Sequence, residues 1–410
     1  MRFEDLPRLD LAAEDFQHNV DRADAAIAEM RRDPGVAHSD RGLEVLSYDL
    51  TLELFRDQRF ALAMDSKYES LGIPEGPVRD VMSNVINARE GEAHTRMRRA
   101  CASWFSARGA ERLREGVRRF VGEVVERCLD DGEMDFHLEI ARALPPRVFC
   151  TIVGAPFEEA DIYADLSEGV LKISAPPHPS FAAIVEDAVT ETRDRVLAMI
   201  EERSAEPGED LISHMLESEA AGAIVRDDIV DVVINVLIGS TDTTDAQMCL
   251  NLVALEEHRD QWARLKREPD LVPNAVLELL RFNPGVWTVI RSPLEELEFN
   301  GFDLTPEDTL WLDVFAANRD PRAFDEPRKL DVGRKFSRNP QNFGSGIHGC
   351  LGRMITLLEQ QEALRAVLEH WSSFEVLDIE MSGAMYTQAV RRMPVAFVPD
   401  RKRRKAGISA

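Results

Sequence analysis

Positive charge is scarce in this 410-residue chain, with 49 lysines and arginines against 74 aspartates and glutamates and a formal net charge of −25. Such a balance repels phosphate backbones and argues against a nucleic-acid partner. The one basic run, Arg401 to Lys405, reads as a solvated tail. Cysteines are few and scattered: Cys101, Cys128, Cys150, Cys249 and Cys350. No CxxC pair or histidine cluster accompanies them, so neither a disulfide framework nor a structural zinc site is expected. No stretch reaches the roughly 18 uninterrupted apolar residues of a spanning helix. The N-terminus also lacks the apolar core of a signal peptide. Repeats, low-complexity tracts and a convincing linker are missing too. We therefore expect a soluble, cytoplasmic protein that makes no use of a membrane, a monomer built as one large domain over residues 1–410.

What is present is mostly helical periodicity. "RGAERLREGVRRFVGEVVERCLDDG" and "VEDAVTETRDRVLAMIEERSA" repeat apolar residues at three- and four-residue spacing. The most apolar long helix is expected over about 227–257. Pro273 opens another, "PNAVLELLRF", which stops where Asn283 meets Pro284. Strand signals are short: "VWTVIRS", "LEFNGFDL" and "MPVAFVP". The fold class is therefore mainly α with a minor β part. The smaller part is drawn from about 1–60, 285–320 and 375–400.

"FGSGIHGCLG", Phe343 to Gly352, sets one thiol among glycines just before the amphipathic stretch "RMITLLEQQEALRAVLEHW". Cys350 could be a small core residue beside a turn. Alternatively, a bulky planar group lies on the loop with the sulfur bonded to it. Glycine lets a backbone approach such a group closely, and a helix N-terminus favours the thiolate. A phosphatase-type nucleophile would need an arginine where Thr356 stands. Zinc would need more ligands than His348 supplies. Haem iron asks for one thiolate and a planar slot, and the loop offers both.

The stretch resembles the haem-binding signature of the cytochrome P450 family, FGxGxHxCxG, at every defined position. The resemblance implies that Cys350 is the iron ligand of haem b, with Phe343 packing near the sulfur, Gly352 lining the slot and His348 facing a propionate. "ELLR" is similar to the family's ExxR motif, making Glu278 and Arg281 supports of the haem loop. Arg334, in "ANRDPRAFDEPRKLDVGR", is implied as the third member, although Leu330 stands where phenylalanine is usual. His94 and Arg98, in "GEAHTRMRRA", and Arg291, in "TVIRS", are the implied propionate partners.

"GSTDTT", Gly239 to Thr244, joins six poor helix formers within the apolar helix. Relative to alanine the run costs on the order of 3 kcal/mol, and a broken local rule points to function. Thr243 can bond back to the carbonyl of Gly239 and open the helix there. The resemblance makes Asp242 and Thr243 the acid–alcohol pair that delivers protons. The family's Ala/Gly-Gly pair appears as Gly239-Ser240, which alters the local hydroxyl set.

A cytochrome P450 of this kind implies a single large triangular domain and monooxygenase chemistry: hydroxylation, epoxidation or O-demethylation of a small-to-medium apolar substrate using O2. It also implies electrons from NAD(P)H through a ferredoxin or flavodoxin and its reductase. We expect the carrier to dock near Arg96, Arg99 and Arg353, where positive charge attracts an acidic partner. Gly239, Trp287 and Tyr386 are candidate pocket residues, although core packing is an equal reading for Trp287 and Tyr386. A peroxygenase or isomerase that bypasses O2, or a haem sensor, are the rival readings.

Overall fold

The computed structural model describes residues 5–9, 20–31, 35–62, 73, 75–174, 178–382 and 388–400. Helices dominate and enclose one large apolar cluster that runs from Ile73 to Phe397. The helices that position the site are α1 (Tyr48–Arg56), α2 (Gly91–Cys101), α3 (Ala160–Leu171), α4 (Arg226–Ser240), α5 (Asp242–Glu257), α6 (Val272–Phe282) and α7 (Arg353–His370). Where one helix is expected across 227–257, the structure has two. Thr241 separates them with φ −88° and ψ −85°, off the helical region. The poor helix formers of "GSTDTT" lie at this break.

The largest sheet is a five-stranded one at the edge of the helical mass. Its strands are β1 (Val36–Ser39), β2 (Gly42–Val45), β3 (Phe60–Ala61), β4 (Thr288–Pro293) and β5 (Leu310–Asp313), in the order β1-β2-β5-β4-β3. Among the described strands of this sheet β2 and β5 alone pair in parallel, with Leu43 opposite Leu310. "LEFNGFDL" folds as a tight hairpin whose turn places Asn300 at φ 51° and Gly301 at φ 82°. A three-stranded sheet joins Trp371–Val376 and Pro394–Pro399 to Glu133–Asp135, a strand the sequence pattern does not reveal.

A buried ion cluster ties α6 to the segment that leads into the cysteine loop. Glu278 and Arg281, fully buried, pair through bonds of 2.7 and 2.8 Å. Arg334 reaches both oxygens of the same carboxylate at 2.9 Å. The excess positive charge is spread over backbone carbonyls. Arg281 donates to Asn318, Pro327 and Lys329, and Arg334 donates to Asp325, Glu326 and Lys329. From there a chain of amides continues. Asn318 accepts from the Gln341 N–H at 2.7 Å and donates to the Asn342 side chain, which itself donates to the Leu280 carbonyl. Phe343 then accepts from the Cys350 N–H at 2.8 Å. A spacing of three residues on one helix thus reaches the Cys350 backbone through hydrogen bonds joined by short covalent links.

Removing one partner from a buried ion cluster strands the others. Glu278→Ala should cost about 3–5 kcal/mol, measured as a lowered urea midpoint. An unchanged midpoint would show that the cluster does not hold the fold.

Candidate functional site

Cys350 is open to a cavity of about 250 Å³. One wall is the cysteine loop, from His348 to Gly352; the opposite one comes from α4, with Val236, Gly239 and Ser240. Ile86, Phe105, Ile152 and Ile355 make the sides apolar. Burial pushes the Cys350 thiol up, while the amides of Gly352 and Arg353 and the charge of Arg98 pull it down. Those amides belong to the start of α7, where free N–H groups face forward.

The glycines divide into two groups. Gly346 sits at φ +73°, and a side-chain carbon there would meet the Phe55 carbonyl of α1 at 2.6 Å. Gly344, at φ +59°, also packs against Phe55. These two serve the packing of the loop on α1. Gly349 and Gly352 line the cavity, as does Gly239, around which a side-chain carbon would meet nothing within 4 Å.

At one end of the cavity basic groups gather. Arg98 lines it and donates to the Gly349 carbonyl. His348 also lines it, and the His94 ring lies 4.4 Å from the His348 ring. His94 is buried with neither nitrogen hydrogen-bonded, and burial, helped by His348 and Arg98, lowers it to about 4. Arg291 is buried, donates to its neighbour's carbonyl at 2.8 Å, and is lowered to about 10 by burial. Glu90, which the sequence analysis did not single out, brings a carboxylate oxygen to 2.8 Å from His348 Nε2, without hydrogen-bond alignment. Its only sequence signal is its place just before α2. Glu359, another residue sequence reasoning missed, lines the cavity from α7 and is pushed up to about 8 by burial.

Thr243 donates to the Gly239 carbonyl at 3.4 Å, a long bond across the break. Asp242 does not line the Cys350 cavity. It faces a second one of about 260 Å³, with Thr241, Asp245 and His137. Burial, then the neighbouring Asp245 and Glu168, pushes Asp242 up to about 7.

Trp287 is not brought to the Cys350 cavity. It stacks on Phe315 with ring centres 4.4 Å apart, in a small core with Leu9 and Ile27 beside the sheet. Tyr386 lies outside the described residues. Arg96 is committed to Asp228 through two 2.8 Å bonds, whereas Arg99 is exposed and Arg353 rests over Phe343.

This site has the make-up of a haem pocket: one sulfur facing a slot between loop and broken helix, with an unsatisfied buried imidazole and guanidinium groups at one end. The cytochrome P450 family model matches residues 80–383, and the chain belongs to that family. It is thus an enzyme of the haem-thiolate monooxygenase class, a family whose haem b is held by a cysteine. Among relatives, the luteothin monooxygenase of Streptomyces thioluteus is 31% identical over 88% of this chain and 89% of its own. The 6-deoxyerythronolide B hydroxylase of Saccharopolyspora erythraea is 28% identical over 87% and 89%. The polyketide biosynthesis cytochrome P450 PksS of Bacillus subtilis is 25% identical over 78% and 79%. The crystal structure of CalO2 superposes with a TM-score of 0.88 at 24% identity, over 96% of this chain and 100% of that one. Among the described residues no helix is long and apolar enough to cross a membrane.

The Asp242 carboxyl holds its proton more tightly in the folded chain than in the unfolded one. Its contribution to stability is complete below the ordinary value of 3.8 and is lost as pH rises through about 7. Asp242→Asn should therefore flatten the fall in melting temperature between acid and alkaline buffer. Parallel melting curves for both proteins would show that the carboxyl ionises without cost.

Proposed function

We propose that this protein inserts one oxygen atom of O2 into an apolar organic substrate of small to medium size, with Cys350 as the iron ligand. The observation that carries the reading is the Cys350 side chain opening onto the cavity between the cysteine loop and the broken helix. When bound, haem supplies the oxygen-activating redox chemistry, which a thiolate ligand favours. Every other task falls to the chain. Gly352 and Arg353 amides hold negative charge on the sulfur. Phe343 caps the loop, and Gly352 leaves room beside the thiol. His94, Arg98, Arg291 and His348 form the basic end that receives the propionates, since buried carboxylates need paired donors. Gly239 keeps the α4 wall low.

Thr243 and Asp242 divide proton handling. The long Thr243 bond would let its hydroxyl turn from the Gly239 carbonyl and hand on a proton at the helix break. A carboxyl raised to about 7 both takes and gives protons near neutral pH. The relatives' names, which include a polyketide enzyme, support an apolar natural product of polyketide kind as substrate. Electrons come from NAD(P)H through a ferredoxin or flavodoxin and its reductase. The docking face is centred on Arg99 and Arg353, with Arg96 withdrawn into its pair with Asp228.

Reduced protein under carbon monoxide should show the red-shifted Soret band of cysteinate ligation, and Cys350→Ser should lose it. A purified protein without that band, despite ample haem, would end this reading. Thr243→Ala should keep the band but divert reducing equivalents to peroxide, lowering product per NAD(P)H by about tenfold. Reversing charge at Arg99 and Arg353 should slow reduction and weaken its salt dependence. Unaltered kinetics would place the docking face elsewhere.

A further inference from the structure

Behind the helix break, the second cavity holds more chemistry than the acid–alcohol pair uses. Its rim is wet, with the Glu168 side chain 52% exposed and that of Arg142 32% exposed. Its floor is enclosed. There Asp242 and Asp245, one turn apart on α5, meet His137, which is 3% exposed. The α5 face therefore presents two carboxylates to one imidazole.

The local backbone is built to place that imidazole. His137–Ala141 form a π-helical turn, closed by the Arg142 N–H donating to the His137 carbonyl at 2.8 Å. The wide turn keeps His137 inside while Leu138 is 51% exposed. Turns of this type concentrate at functional sites. Neither His137 nitrogen has a hydrogen-bond partner, although Nε2 stands 3.6 Å from Asp245 Oδ2. An imidazole serving only as packing would not normally be left unsatisfied against a carboxylate. At the inner end, the Ser167 and Thr241 hydroxyls bond to each other beside the break.

We propose that His137 and Asp245 extend the Asp242–Thr243 pair into a proton relay running from the wet rim of this cavity to the helix break. The inference rests on the monooxygenase reading above. One proton moves at each link. The His137 imidazolium gives an N–H proton to the Asp245 carboxylate, Asp245 passes a proton to the ionised Asp242, and Asp242 gives it to the Thr243 hydroxyl as that hydroxyl gives up its own proton at the break. Hydronium from solvent at the rim restores the His137 imidazolium, and no electron moves.

The surrounding charges suit this order. Asp245 and Glu168 strengthen the hold of Asp242 on its proton, and Lys172 and His137 weaken it. Burial raises Asp245, against the pull of His137 and Arg142. Asp135 and Asp245 face Cys249, whose thiol burial keeps protonated, and Arg391 lies at the rim. Two adjacent carboxylates in such a site resist ionising together, because each charge opposes the other.

The test compares haem-loaded parent, His137→Leu and Asp245→Asn proteins. Difference infrared spectra read the protonated-carboxyl stretch without turnover, from about pH 5 to about pH 9. The parent band should vanish near neutrality, persist to higher pH in His137→Leu, and shrink in Asp245→Asn. In turnover, each variant should keep the carbon monoxide band, lower product per NAD(P)H by about tenfold and enlarge the solvent deuterium isotope effect. The relay is wrong if both variants match the parent in infrared titration, pH profile and isotope effect while Thr243→Ala still uncouples. Should a variant fail to fold, a parent carboxyl band that titrates independently of the His137 imidazole NMR signals would overturn it equally. Loss of the carbon monoxide band from the parent itself would instead strike the monooxygenase reading.

Discussion

One carboxylate held between two guanidinium groups is the constraint on which the site depends. Glu278 is fully buried, and an ion there survives only because Arg281 and Arg334 both reach it. Their remaining donors are spent on the carbonyls of residues 318–329, so the charge cluster also fixes the course of that segment. Asn318 passes the constraint to Gln341 and Asn342, and Phe343 passes it to Cys350. The thiol is thereby held by α6, a helix that is not among the elements lining its cavity.

A second constraint comes from α4 and α5. A continuous helix would satisfy its own carbonyls and leave no groove. The break at Thr241 frees the Gly239 carbonyl for a side chain instead of a backbone amide. It also separates two environments. Gly239 and Ser240 face an apolar slot, whereas Thr241, Asp242 and Asp245 face a polar one. One interruption in a helix thus leaves an apolar and a polar cavity as neighbours with separate linings.

Much of this was legible where local chemistry is strict. The ten residues "FGSGIHGCLG" and the three-residue spacing of Glu278 and Arg281 carry their geometry with them, and the propensity cost of "GSTDTT" marks the place where the helix ends. Positions that depend on which face an element turns were not legible. Trp287 sits one residue before β4, outside the paired register, and its place is decided by stacking on Phe315 from a distant part of the chain. Glu90 and Glu359 look like ordinary acidic residues in the sequence, because their chemistry arises from His348 and from burial within α7. His137 is likewise silent until a π turn and α5 bring it to Asp245. The pairing of Arg96 with Asp228 spans 132 positions and removes a cation from the proposed docking face.

The contact between Gly346 and Phe55 has an evolutionary side. Within one short loop, some positions face the Cys350 cavity and others a helix from the far N-terminal part of the chain. Drift at Gly344 or Gly346 would be filtered by whether the chain folds at all, whatever catalytic demands prevail. Gly349 and Gly352 answer to the cavity, so they are free to vary only as its occupant allows. A homologue that changed chemistry could therefore be expected to relax the second pair while the first stays frozen, recording ancestry more faithfully than activity.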